Sequence, residues 1–442
     1  MATQDGSVVT PQQRQFEQFV SKAIRVQHPI CMVKARGARM WDESGREYLD
    51  FAGSISSLNV GHCHPRVVRA VQEQAERLIH TTINVTYHQG FLDLAENLCR
   101  MVPISGDKRA MLTNSGSEAV EAAVKAARQF TGRSGVITFT GGYHGKTFLA
   151  LGMTSQTHPY KSGLEPFPPE IHPFPYPDPD HCPFCKDPST CSHDALTLLE
   201  QGFSNVVPSE RVAAVVVEPV QGEGGIIVPP ADFLPRLREI CRSRGILFIV
   251  DEIQTGLGRV GKMFAIDYYP GLDPDIVLIG KSLGAGLPIS AAVGRAAIMD
   301  APESGSIGST FSGNPVAAAA ALQVLQIVDE ENLPERAMEI GAICMERLSR
   351  LATQHPRISS VRGLGAMIGI ELVRDRKSRE PWKEGVQHVL AKAQSRGLIL
   401  PIAGIWENVV RLLMPLVITP EELDRGLAIL EEALVETLSE GD

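Results

Sequence analysis

From about residue 109 to residue 294, short apolar runs alternate with stretches of helical periodicity. The β-type runs fall at 135–140, 212–219, 246–251, 275–279 and 289–294, and several are continuously apolar. Such runs suit strands buried on both faces, and the alternation predicts a mostly parallel sheet covered by helices on each side. Open sheets of this kind bind ligands at the carboxyl ends of their strands. Beyond residue 332 the rhythm changes to a helix through 351, β-type runs at 361–373 and 409–416, a helix between them and a closing helix from 420. That is a smaller α+β lobe. The first 65 residues, strand-like at 39–41 and 47–51, lack the alternation and are expected to join this lobe from the other chain end. The predicted division is therefore 1–65, a large domain at 66–331 and a small domain at 332–442. A stretch dense in proline, histidine and cysteine, about 166–193, reads as a loop inserted into the large domain.

Composition narrows the class. At 442 residues the chain has room for roughly two to three lobes at about 150 residues each. Its 43% hydrophobic and 21% charged content is that of a folded, soluble protein. Lys and Arg total 42 against 51 Asp and Glu, a net charge of −9 with no long single-sign block, which disfavours nucleic acid as a partner. The first ten residues carry no basic start leading into an apolar run, and no run approaches about 18 apolar residues, so a cytoplasmic, unprocessed chain without membrane attachment is expected. Eight cysteines are too dilute for a secreted disulfide scaffold.

Three segments concentrate chemistry. NSGSEA at 114–119 follows a short strand and opens a helix, so free N–H groups, hydroxyls and the positive helix end suit a phosphate; a plain helix cap would also use Ser and Gly. In IVDEIQTG at 249–256 an apolar strand ends in Asp251 and Glu252, where Asp251 can meet a cationic ligand atom or simply cap a helix. In IGKSLGAG at 279–286, Lys281 stands at a strand end with almost no polar company, placed for a lowered pKa and a nucleophile's or base's role. Phosphate cradle, strand-end acid and strand-end lysine together fit one cofactor, pyridoxal 5'-phosphate.

At this point the chain resembles a family. YLDFAGSISSLNVGHCHP (48–65), NSGSEA, GGYHGKT (141–147), EPVQGEGG (218–225), DEIQTGLGR, GKSLGAG, STFSGNP (309–315) and RLLMPL (411–416) are similar, in family order, to class III, fold-type I pyridoxal-phosphate aminotransferases, most like 4-aminobutyrate aminotransferases. The resemblance implies an α/β fold with a large mostly parallel sheet domain that binds the cofactor and a smaller α+β domain built from both chain ends. It also implies that Lys281 is joined to the cofactor and shuttles the substrate proton, and that Asp251 keeps the pyridine nitrogen protonated. Gln254 would bond the ring hydroxyl side, Tyr143 would stack on the ring with His144 orienting it or its loop, and Glu218 would sit beside it. Ser115, Gly116 and Ser117 would hold the phosphate, with Thr310 arriving from a neighbouring subunit, so that a homodimer completes each site.

The same resemblance assigns the substrate side to Ile55, Lys146, Glu223 and Arg411. An arginine like Arg411 binds the α-carboxylate of the second substrate, and a glutamate like Glu223 pairs with it otherwise. An arginine within the apolar run at 409–413 would be costly to bury without such a partner. One position departs from the pattern: 4-aminobutyrate aminotransferases have YHGRT, whose arginine clamps a distal carboxylate, where this chain has Lys146. Lysine is a point charge rather than a planar fork. Related decarboxylases place glutamine at Ile55 and tryptophan at Tyr143, which argues against that chemistry here. The expected reaction is ping-pong transfer of an amino group from an ω-amino acid like 4-aminobutyrate to 2-oxoglutarate or pyruvate. A racemase or epimerase of the same family is the alternative, and a catalytically silent scaffold is a third reading that the intact site residues oppose.

Cys182, Cys185, Cys191 and His193, with His181 as a substitute, have the donor chemistry for tetrahedral zinc, but their spacing is irregular and the expectation is a loop without metal. His62 and His64, in GHCHP, are expected to form a turn leading to a helix.

Overall fold

The computed structural model describes residues 10–182 and 187–439. These residues form three sheets. The seven-stranded one runs in the spatial order Lys108–Thr113, Ser290–Arg295, Ile276–Ile279, Leu247–Asp251, Val212–Val217, Gly135–Phe139, Ile171–Phe174. Ser290–Arg295 pairs antiparallel with both neighbours, whereas every other pairing is parallel. The expectation of a mostly parallel sheet thus holds, with one reversed strand. Val212–Val217 and Leu247–Asp251 are buried at every position, as their unbroken apolar runs require when helices cover both faces.

The helix Gly116–Thr131 shows how the chain builds this covering layer. Ser115 caps its start by accepting from the Glu118 N–H at 3.3 Å, and Gly132 ends it in the left-handed conformation at φ 67°. Between them Ala119, Val120, Ala123, Val124 and Ala127 face the sheet and are buried. The helix start therefore lies at the carboxyl edge of the sheet, beside the strand ends that carry Asp251 and Lys281.

Both chain ends meet in one layer. Met32–Arg36, Arg39–Asp42 and Glu47–Asp50 form an antiparallel meander, and Leu398–Ile399 adds to it in parallel with Leu49 and Asp50. The β-type run expected at 361–373 is two strands, Ile358–Leu364 and Met367–Leu372, folded back on one another. The break is at Gly365 (φ 56°), where a Cβ would lie 2.4 Å from the Val260 carbonyl carbon and only glycine fits. This hairpin, Val409–Leu412 and Ile402–Ala403 form the third sheet.

The inserted stretch is only in part a loop. Ile171–Phe174 forms the outermost strand of the large sheet, parallel to Gly135–Phe139. Pro173 is tolerated because an edge strand leaves one side without hydrogen-bonding partners. Cys191–Asn205 is already a helix. Between them, His181 joins Asp178 at 3.2 Å and Glu371 at 2.8 Å, tying the insertion to the hairpin strand Met367–Leu372, and Arg362 also pairs with Glu371 at 2.5 Å. Bonds to Asp178 and Glu371 raise His181 from 6.5 to about 9. Burial pushes Glu371 up, but His181 and Arg362 outweigh it and carry the group from 4.5 down to about 2. A raised base stabilises below its unfolded value and loses that contribution through its folded one; a depressed acid does the reverse. The stabilisation should therefore be complete between about pH 4.5 and 6.5, fading upward through 9 and downward through 2. His181→Gln is expected to flatten the alkaline fall of the melting temperature between pH 6.5 and 9, and an unchanged alkaline slope would remove the tie from the account.

No helix among the described residues is long and apolar enough to cross a membrane.

Candidate active site

A cavity of about 170 Å3 at the carboxyl edge of the large sheet is lined by Gly116, Ser117, Tyr143, His144, Gly145, Glu218, Asp251, Ile253, Gln254 and Lys281. The residues singled out from three separate strand ends and one helix start are thus brought together. Asp251 closes the strand Leu247–Asp251 and Glu218 follows Val217 on the neighbouring strand. Glu252, next in the chain, projects away from the cavity, where it accepts from the Thr255 hydroxyl and, at 2.8 Å, from the Ile266 N–H. Only one of the two adjacent acids belongs to the site.

Asp251 is buried, and its Oδ2 lies 2.8 Å from His144 Nδ1. His144 does not lie free beside the cavity as a ring-orienting group; it buttresses the carboxylate, while its own N–H donates to Thr154 Oγ1 at 3.0 Å. Burial opposes charge on His144, but the bond to Asp251 raises it above its usual value. Glu218 accepts from the Tyr143 N–H at 3.2 Å. Burial pushes it up to about 7, against the pull of His144 and Lys281 and with the help of Asp251. Burial also lowers Lys281 from its ordinary value, only partly offset by Glu223, Asp251 and Glu218, so its amine is held nearer neutrality than a surface lysine's. Lys281 has φ 44°, on a short turn that follows Gly280.

Gln254 is 6% exposed and neither its Oε1 nor its Nε2 has a partner. A buried amide left so costs free energy unless a ligand satisfies it. An amine for an aldehyde, a buried carboxylate for a ring nitrogen, an unpaired amide and a helix start for a phosphate together match the functional groups of pyridoxal phosphate.

Of the other phosphate candidates, Ser115 serves as the helix cap and does not line the cavity, while Ser117 Oγ accepts from the Lys146 N–H at 3.2 Å. Thr310 is exposed and lies outside this chain's own cavity.

On the outer side, Arg411 is 1% exposed and its Nη1 donates to Glu223 Oε1 at 2.6 Å, with Nε unpartnered. Burial raises Glu223, but Arg411, then Lys281 and Lys146, bring it below its usual range. Ile55 is 44% exposed on a turn where Ser54, Ile55 and Ser56 all have positive φ, at 46°, 58° and 64°. Left-handed non-glycine residues cost of order 1–3 kcal/mol each and persist only when the surroundings over-determine them. Here Ser282 Oγ donates to the Ser56 carbonyl at 3.0 Å and Arg259 Nε to Ser56 Oγ at 3.0 Å. Arg259, fully buried, also donates to Asn59, Ala366 and Met414, and burial pushes it down to about 9. Sequence reasoning missed it, because its partners lie 107 to 203 residues away. It missed Tyr160 as well, whose ring meets Tyr143 edge-on at 5.6 Å and carries Lys146 Nζ 4.5 Å from its centre.

The zinc candidates do not gather. Cys191 is buried at the first turn of its helix, His193 accepts from Arg236 at 3.2 Å, and Cys185 lies outside the described residues. Among the described residues no three His, Cys, Asp or Glu side chains assemble as a metal site. His62 pairs with Asp50 and His64 caps the helix Pro65–Arg77 by its backbone, so the two imidazoles serve different partners.

The model of the class-III aminotransferase family matches residues 21–434. A probable 4-aminobutyrate aminotransferase of Bacillus subtilis is 44% identical, spanning 98% of this chain and 100% of the relative. A 5-aminovalerate aminotransferase of Pseudomonas aeruginosa is 43% identical over 92% and 94% of the two chains. An amine transaminase from an uncultivated Pseudomonas species, solved with pyridoxal phosphate bound, superposes with a TM-score of 0.86 at 31% identity over 93% and 95%. A strand-end lysine, a braced aspartate and a helix start around one cavity, on a chain matched over nearly its whole length, place this protein in the class-III aminotransferase family of pyridoxal-phosphate-dependent enzymes.

Proposed function

We propose that this chain transfers the amino group of an ω-amino acid, 4-aminobutyrate or a close homologue, to 2-oxoglutarate or pyruvate in two half-reactions at one site. The observation that carries this reading is the Glu223–Arg411 pair. With Glu223 in place, Arg411 is neutralised and the pocket takes an amine-bearing carbon without an α-carboxylate; with Glu223 turned aside, Arg411 receives the α-carboxylate of the keto acid. The names of the Bacillus and Pseudomonas relatives support the same donor class, and neither is named a racemase.

Pyridoxal phosphate, when bound, supplies the electron sink that makes the proton on the substrate's amine-bearing carbon removable. Lys281 Nζ takes that proton and returns it, and its lowered pKa keeps a useful fraction of it basic near neutrality. Asp251 faces the ring nitrogen, held in line by His144. Gly116 and Ser117 bind the phosphate through the helix start, and Thr310 of the partner subunit reaches the same phosphate in a homodimer. Gln254 satisfies its orphan amide on the ring hydroxyl side, Glu218 sits beside the ring, and Tyr143 covers the ring face and excludes water from it. Ile55 walls the substrate side. The residues 66–331 form the cofactor-binding domain, 1–65 and 332–442 the smaller one, and the enzyme works in the cytoplasm.

Titrating the loaded enzyme with 4-aminobutyrate and no keto acid tests the reading. The visible band of the aldehyde form should disappear and return on adding 2-oxoglutarate. An unchanged band, together with slow loss of optical rotation from an L-α-amino acid, would hand the site to the racemase chemistry instead.

A further inference from the structure

Lys146 is a cation at the site with no acid of its own. Among the described residues no carboxylate pairs with it, whereas Arg411, the other guanidinium or ammonium on the substrate side, is engaged by Glu223. Its backbone is anchored, because its N–H donates to Ser117 Oγ at the start of the helix Gly116–Thr131. Its side chain is exposed and ends over the face of Tyr160, with Nζ 4.5 Å from the ring centre. Tyr160 in turn stands edge-on against Tyr143, a cavity-lining residue, at 5.6 Å. Arg411 and Glu223 both act electrostatically on the Tyr160 hydroxyl, which puts the ring at the outer end of the same pocket.

We infer that Tyr160 is a specificity-determining residue: its ring seats the Lys146 ammonium at the pocket mouth as a movable cation that takes the donor's carboxylate at more than one chain length. This rests on the ω-amino-acid reading above. A donor whose amine reaches Lys281 must leave its carboxylate pointing outward, and Arg411 cannot serve it while Glu223 holds the guanidinium. A planar guanidinium would accept a carboxylate in one bidentate geometry, rewarding a single donor length. An ammonium on a four-carbon stem has rotatable donors and no preferred plane, so it can follow a carboxylate one methylene further out. The aromatic face gives that mobile charge a resting place without satisfying its hydrogen bonds, which remain for the ligand.

The test uses butanoate and pentanoate, which carry the carboxylate but no amine and cannot react, titrated by calorimetry into the loaded enzyme, with butanamide as the uncharged control. The wild type should bind the two acids within about twofold of each other. Tyr160→Leu should weaken both by about three- to fivefold and leave butanamide unchanged, and Tyr160→Phe, which keeps the ring face, should restore wild-type affinity. Lys146→Arg should separate the two acids by more than threefold. Lys146→Met, at an exposed position, should weaken the acids more than Tyr160→Leu does and covers the case in which that variant fails to fold. Equal weakening of butanamide, or an unchanged ratio in Lys146→Arg, would overturn the proposal. If 4-aminobutyrate fails to convert the wild-type enzyme while the carboxylates follow the expected pattern, the donor reading falls and the seat remains as a carboxylate site. If 4-aminobutyrate reacts and the pattern is missing, the seat alone falls.

Discussion

Lys281→Ala is expected to abolish turnover, lowering kcat by about 10^4-fold or more, and to remove the visible band that depends on the lysine's covalent link to the cofactor. The size follows from the surroundings. Every other titratable group lining the cavity is a carboxylate, the His144 imidazole or the Tyr143 phenol. Glu218 has its N–H partner on the chain and His144 faces Asp251, so neither points a free base at the substrate carbon. Burial holds the Tyr143 phenol well above its usual value, which leaves it protonated at neutral pH. No neighbour can take over the proton. Absorbance and single-turnover kinetics check the two halves of the prediction separately, and retention of more than about one per cent of the wild-type rate would mean that another group carries the proton.

Arg411→Ala should damage the two half-reactions unequally. Breaking a buried ion pair costs about 3–5 kcal/mol, and because the Glu223 side chain keeps 19% exposure this one should sit at the low end, near 3 kcal/mol or about a hundredfold. That loss should appear with 2-oxoglutarate, whose α-carboxylate loses its cation, and not with 4-aminobutyrate, which has none. The variant should also respond differently to acid. Glu223, depressed in the folded wild type, contributes stability above its ordinary value of 4.5 that is lost as pH falls below it. Without Arg411 that acid-side contribution shrinks, so the melting temperature should vary less between pH 5 and 3. Equal losses in both half-reactions would show that Arg411 holds the pocket together rather than recognising the keto acid.

The cofactor side of the site was legible because its signals are local. An apolar strand that ends in a single charged residue, as at Asp251 and Lys281, or a Ser/Gly step that opens a helix, as at Ser115–Ser117, carries its meaning within a few positions. What was hidden depends on distant partners or on context. Prolines at 173 and nearby suggest a loop, and only the edge position of Ile171–Phe174 makes a strand there affordable in hydrogen bonds. The run at 361–373 is uniform enough to read as one strand, and the single glycine that folds it back is forced by the Val260 backbone, about a hundred residues earlier. Arg259 sits among glycines and reads as a surface residue until Ser56, Asn59, Ala366 and Met414 are seen to surround it. His144 was picked out, but the direction of its imidazole toward Asp251 is a property of the fold.

The reversed strand Ser290–Arg295 has a bearing on how the enzyme moves. A parallel neighbour for Ile276–Ile279 would need a crossover of a dozen or more residues, free to breathe. Because Ser290–Arg295 returns antiparallel, Lys281 rides instead on the short link 280–289, clamped at each end to a central strand. The shoulder is fixed and only the four-carbon arm swings. Amide hydrogen exchange along that link should accordingly stay slow through the catalytic cycle, and chain insertions accepted on the helix-bearing connections should be refused here.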